Sequence, residues 1–162
     1  MTVTRGGKED QGRKRIRVAE VRARIEDGGG VAFDEVEAAS AGGDAAALDR
    51  ALERAFAEGI SASALLRVVC RHFGRLLQAR AELDAGQDIE AAMRVLKPPV
   101  FFKQIPVFKQ TLAVWPAAAL ARALGRLAEA EARAKQGLPQ ETVVGQALMG
   151  IAAEAAARRR RR

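Results

Sequence analysis

The side chains of a type that does chemistry are few in this sequence. There is one cysteine, Cys70, and one histidine, His72, two residues apart. On a helix that spacing turns them to different sides, so they cannot work directly as a nucleophile and its base. One of each is also too few for a structural zinc site. The plainer expectation is that Cys70 packs and His72 is a partly exposed helix residue. Glu82/Asp84 and Glu129/Glu131 are carboxylate pairs by sequence only. Two apart on a helix they diverge, and general acid–base work needs convergence, so solvated faces explain them better. No Gly-x-x-x-x-Gly-Lys-Ser/Thr loop occurs, and the Gly28–Gly30 triplet lacks the strand and lysine of a phosphate cradle. The sequence therefore names no catalytic residue, no metal ligand and no cofactor.

What remains is basic. Arg67, Arg71 and Arg75 recur every four residues and share one helix face. Such a stripe meets phosphate, is solvated, or rims a neighbouring subunit. Arg158, Arg159, Arg160, Arg161 and Arg162 run together. They read as a nucleic-acid tail, a membrane-surface contact, or a helix end whose dipole favours cations. Trp115 is either a stacking platform for a base or, before a proline-started helix, a core residue. The net charge of +7 is confined to the ends: Met1–Arg17 holds six basic and two acidic groups, whereas Val18–Ala157 holds 16 basic and 18 acidic. Basic ends attract phosphate weakly and without sequence preference; they do not make a groove.

The elements that must position these residues are helices. Ala, Leu, Arg and Glu dominate, and β-branched and aromatic residues are too sparse for a sheet. At the centre lies Lys97–Lys109, with three of the five prolines and three of the six phenylalanines. Pro98 and Pro99 stop the preceding helix. Val100, Phe101, Phe102, Val107 and Phe108 carry apolar area worth burying, about 1.5–3 kcal/mol for each Phe. The segment reads as a buried joint on which two helical halves pack.

Met1–Gly12 is expected to be disordered, followed by a basic run at Arg13–Arg17 and a short helix near Val18–Ile25. Asp27–Gly30 is a joint and the best candidate boundary. Apolar periodicity then predicts helices over Phe33–Ala41, Ala45–Glu58, Ala62–Ala85, Ile89–Leu96, Val107–Val114, Pro116–Gln136 and Pro139–Ala157, with Asp44, Ser61 and Asp88 as N-caps. Short links favour antiparallel neighbours. The expectation is an all-α antiparallel bundle over residues 31–157, a basic N-terminal part over 1–30 that includes the remnant of a small lid-type helical domain, and a basic tail over 158–162. The 162-residue chain has one cysteine, no N-terminal apolar run and no long uncharged apolar stretch, so a cytoplasmic, non-membrane setting is expected.

The order of features resembles a known family. Gly43-Asp44 before a helix, the Glu58-Gly59 stop, Leu65–Leu77 (Leu-Leu-Arg-Val-Val-Cys-Arg-His-Phe-Gly-Arg-Leu-Leu), Leu96–Lys103 (Leu-Lys-Pro-Pro-Val-Phe-Phe-Lys) and Glu131–Gly137 are similar to the C-terminal region of the bacterial DNA polymerase III delta subunit, a clamp-loader component. The resemblance spans about Val31–Ile151, and Arg15–Ile25 looks like the last piece of that family's lid domain. It implies a helical collar domain that packs beside matching domains of the other loader subunits in a five-membered ring. The family's N-terminal AAA+-like domain, which opens the sliding clamp, has no counterpart in this sequence, so assembly rather than clamp opening is what the resemblance implies. The family does not itself hydrolyse ATP, and it is grouped with DNA-directed DNA polymerase through its complex, in which another subunit polymerises.

Two functions compete at this level. One is an interaction subunit of a clamp loader, a hetero-oligomer in DNA replication that touches DNA weakly or indirectly. The other is a stand-alone helical nucleic-acid binder using Arg13–Arg17, the Arg67/Arg71/Arg75 stripe and Arg158–Arg162, with an affinity that falls steeply with salt.

Overall fold

The computed structural model of the chain describes residues 30–162. The expectations for Met1–Gly12, Arg13–Arg17, Val18–Ile25 and the joint at Asp27–Gly29 lie outside the described residues. Within them the fold is an all-α helical bundle: α1 Gly30–Gly42, α2 Ala45–Ala57, α3 Ala62–Asp84, α4 Ile89–Arg94, a 3-10 turn at Phe102–Gln104, α5 Ile105–Val114, α6 Ala117–Lys135 and α7 Gln140–Arg160. No strand occurs among the described residues.

The caps sit where the sequence places them. The Asp44, Ser61 and Asp88 side chains accept from the backbone N–H of Ala47, Ala64 and Ala91 at 2.9, 3.2 and 2.7 Å. Each satisfies one of the donors a helix start leaves open. The helices close at Gly43, Gly59, Gly86 and Gly137, all with positive φ. Most ends fall within one residue of expectation; α4 stops at Arg94, two residues before Leu96, and three others differ by two or three. Gly30 opens α1 instead of belonging to a joint, because α1 begins ahead of its first apolar anchor. α5 starts at Ile105, since Pro106 is tolerated in a first turn. α7 runs through Arg158–Arg160, past the expected end at Ala157. Cations in a last turn suit the helix dipole.

α3 is the central element and packs on α1, α4, α5, α6 and α7. Its apolar stripe, Leu65, Leu66, Val69, Phe73 and Leu76, is buried. α6 packs on α3 and α7, and α2 packs on α1 and α7; the residues they bury are Leu120, Ala123 and Leu127 of α6, Leu148, Ile151 and Ala152 of α7, and Leu48 and Leu52 of α2. Alanine at many facing positions lets the backbones approach closely. The two halves thus meet directly, helix on helix.

The proline segment is only partly the buried joint that its composition suggests. Phe108 is buried and Val100 packs on the core. Phe101, Phe102 and Val107 are 55, 67 and 51 % exposed. The cause is local. The Gln104 N–H bonds the Phe101 carbonyl at 2.8 Å, closing a tight turn that carries Phe101 and Phe102 away from the bundle. There the two rings pack on each other, centroids 4.8 Å apart, and the Lys103 ammonium lies 6.0 Å from the Phe102 ring. One extended connector turns only one side to the core, and apolar content alone does not say which residues take it.

Candidate functional site: a cleft between α1, α3 and the proline segment

α1, α3 and the segment from Pro99 to Thr111 enclose a cleft of about 430 Å³. From α1 come Asp34 and Glu37; from α3 come Arg71, His72 and Arg75; the segment adds Val100, Phe101, Lys103, Val107, Phe108 and Thr111. The 3.6-residue period explains the α3 set, since Arg71 and Arg75 stand one turn apart with His72 beside them. The Thr111 hydroxyl donates to the Val107 carbonyl at 2.8 Å and so turns a methyl toward its surroundings.

His72 and Glu37 meet in the cleft. Nδ1 of His72 lies 3.7 Å from Oε2 of Glu37, with the two side chains 18 and 23 % exposed. Burial and then the neighbouring Asp34 push the Glu37 carboxyl up to about 7, against the opposing pull of Arg75 and Arg71. Burial and then Arg75 push the imidazole down to about 4. Near pH 5.5 both are therefore neutral, and the contact is not an ion pair. The imidazole edge faces Phe108 at 6.1 Å and Phe73 at 6.2 Å between ring centroids. Phe73 meets Trp115 edge-on at 5.2 Å. A row of four rings, Phe108–His72–Phe73–Trp115, thus links the cleft to the core.

The candidate residues of the sequence separate. Arg71 and Arg75 line the cleft. Arg67, the third of the stripe, is exposed and turns back to donate Nε–H to the Ser63 carbonyl at 3.4 Å. Cys70 packs partly against the core, and burial, followed by Glu131, pushes its thiol up. His72 is a partly exposed helix residue, as expected, but one engaged in the cleft. Trp115 is fully buried. Arg158 lies with its guanidinium 5.8 Å from the Trp115 ring and donates to Glu154 at 3.0 Å. Arg126 reaches the same carboxylate at 3.1 Å, and Arg122 approaches to 4.0 Å. Arg159 to Arg162 are exposed.

Glu37 and Asp34 were not singled out by the sequence. A signal was there: Glu37 stands four residues after Phe33 and next to Val36, on the flank of the inward face of α1, where a carboxylate is half committed to the interior. Arg80 pairs with Asp84, and Lys135 with Glu131, so one member of each carboxylate pair is spent on a surface ion pair. Among the described residues no three His, Cys, Asp or Glu side chains converge as metal ligands would, and no helix is long and apolar enough to cross a membrane. Set against protein-family models, curated proteins and solved structures, the chain finds no match in any of the three.

Proposed function

We propose that this chain is a helical interaction module that takes its place beside the subunits of a DNA polymerase III clamp loader, contributing contact surface rather than bond-making. The observation that carries the reading is the exposed Phe101–Phe102 pair with Val107 beside it. Apolar side chains at adjacent surface positions on an otherwise well-packed bundle mark a place where another protein docks. Phenylalanine belongs to the residues enriched at such interfaces. The resemblance of Leu65–Leu77, Leu96–Lys103 and Glu131–Gly137 to the delta collar supplies the identity of the partners.

The reading also agrees with the chemistry of the cleft. Its acid and its base lie 3.7 Å apart without a nucleophile between them, and burial, followed by Glu131, pushes the thiol of Cys70 up, away from the nucleophilic thiolate. Mixing the chain with the remaining clamp-loader subunits and following size-exclusion elution with multi-angle scattering tests the proposal. A shared peak is expected, and it should be lost in F101S/F102S. A wild-type chain that elutes alone at micromolar concentration overturns it.

A further inference from the structure

The cleft has a charge pattern that packing does not explain. Arg71 and Arg75 stand one turn apart on α3 and face the same 430 Å³ space. Among the described residues neither forms an ion pair, whereas Arg54, Arg80, Arg126 and Arg158 all do. The acid nearest to hand, Glu37, is turned to His72. Lys103 adds a third cation at the rim, and Asp34 is the second acidic group of the lining. Facing the arginines is an apolar wall of Val100, Phe101, Val107 and Phe108. Two guanidiniums outside any ion pair, opposite an apolar wall, form the negative image of a ligand with an apolar body and an anionic head.

We propose that this cleft receives an acidic segment of a partner protein, one apolar side chain entering against Val107 and Phe108 while an adjoining carboxylate bridges Arg71 and Arg75. The volume holds one or two side chains and falls in the range of small-ligand sites. A peptide fits better than a small molecule because the apolar surface continues from Phe101 in the lining onto the exposed Phe102 outside the cavity. A nucleic-acid strand fits worse. Beyond Arg71 and Arg75 only Lys103 extends the cationic track, too short a run for a phosphate backbone, and a strand offers no apolar side chain to the Val107–Phe108 wall. The inference does not depend on which assembly the bundle joins. Phe101 belongs to both the lip and the cleft, whereas Phe102 is outside the cleft lining, so F102S alone separates a partner held through the lip from a segment held in the cleft.

The test is fluorescence polarisation of labelled peptides on the full chain. The probes have the form Asp-Glu-Asp followed by two residues drawn from Leu, Ile, Phe and Trp. Comparators replace the acidic triplet by Lys-Arg-Lys or the apolar pair by Ser-Ser, and a labelled thymidine oligonucleotide stands for nucleic acid. At least one acidic–apolar probe is expected to bind about tenfold tighter than either comparator, and R71E/R75E is expected to weaken it by at least about tenfold. Arg67 belongs to the same stripe and lies outside the cleft, so R67E should change binding by less than about twofold. V107D, on the opposite wall at an exposed position, should weaken binding as well and guards against a fold defect in the arginine variant. The inference is overturned if no acidic–apolar probe binds, if R67E costs as much as R71E/R75E, or if the oligonucleotide binds more tightly than every peptide.

Discussion

The indole Nε1–H of Trp115 donates to the carbonyl oxygen of Ala41 at 2.9 Å, across 74 residues of sequence. Ala41 lies in the last turn of α1, where carbonyls lack intrahelical partners. Trp115 lies between α5 and α6, before Pro116. The bond therefore satisfies an otherwise open acceptor and pins the second half of the chain to the first. Trp115→Phe keeps an edge contact with Phe73 but leaves that acceptor buried and unmet, for an expected loss of about 1–3 kcal/mol. Trp115→Ala also empties the ring's volume and should cost about 3–5 kcal/mol. Urea unfolding followed by far-UV circular dichroism reads both.

The same corner predicts a sharp difference between two glycines. A Cβ at Gly43 would lie 2.5 Å from the backbone nitrogen of Ala156 and 2.9 Å from the carbonyl carbon of Ala155. Gly43 also has φ +80°. Gly59 has φ +82° with nothing within 4 Å of an added Cβ. Gly59→Ala should therefore lose only the left-handed backbone term, about 1–2 kcal/mol. Gly43→Ala adds overpacking against the α7 backbone, about 1–3 kcal/mol more. Equal losses for the two substitutions would show that α7 yields at this contact.

Much of this fold is legible in the sequence, and the reasons are physical. Leu66, Val69, Phe73 and Leu76 recur with the helix period, and all are buried. Asp44, Ser61 and Asp88 precede their helices as caps, and all three accept the predicted bonds. Period and capping are local, so a single sequence carries them. The cleft is not local. It needs Glu37, His72 and Phe108 together, and nothing in the spacing of one helix tells which neighbour lies across from it. The Arg67/Arg71/Arg75 stripe shows this well: identical by spacing, the three arginines divide because the proline segment crosses α3 beside Arg71 and Arg75 and does not cover Arg67. Phe101 and Phe102 fail for a related reason. Outside a helix no period assigns an inward side, and apolar content alone overstates burial.

Exposure of that phenylalanine pair makes its own prediction. Because Phe101 and Phe102 contact each other more than the core, F101S/F102S should leave unfolding free energy within about 0.5 kcal/mol of wild type. Phe108→Ala, at a buried ring in the same segment, should cost about 3–5 kcal/mol. Sedimentation velocity should show less self-association for F101S/F102S, since the apolar lip is gone. A large loss of stability in that variant would mean that the pair folds back onto the bundle in solution.

The Glu37–His72 contact predicts an unusual response to pH. In the folded chain the carboxyl titrates at about 7 and the imidazole at about 4; in the unfolded chain the ordinary values are 4.5 and 6.5. Between about pH 4.5 and 6.5 the folded pair holds one proton, on the carboxyl. The unfolded pair also holds one, on the imidazole. Stability changes with pH only where the two states bind different numbers of protons, so this pair leaves stability flat across that window. The single substitutions remove the balance with opposite signs. In Glu37→Gln only the depressed imidazole remains; the unfolded state binds more protons between pH 4 and 6.5, and stability rises with pH there. In His72→Gln only the raised carboxyl remains; the folded state binds more protons between pH 4.5 and 7, and stability falls as pH rises. Each slope approaches about 1.4 kcal/mol per pH unit at its steepest, the equivalent of one proton. The charged groups facing the pair are Asp34 on α1, Arg71 and Arg75 on α3 and Lys103 on the connector. Chemical denaturation at half-unit pH steps measures all three chains. Parallel curves for wild type and both variants would show that the two side chains do not share the cleft interior in solution.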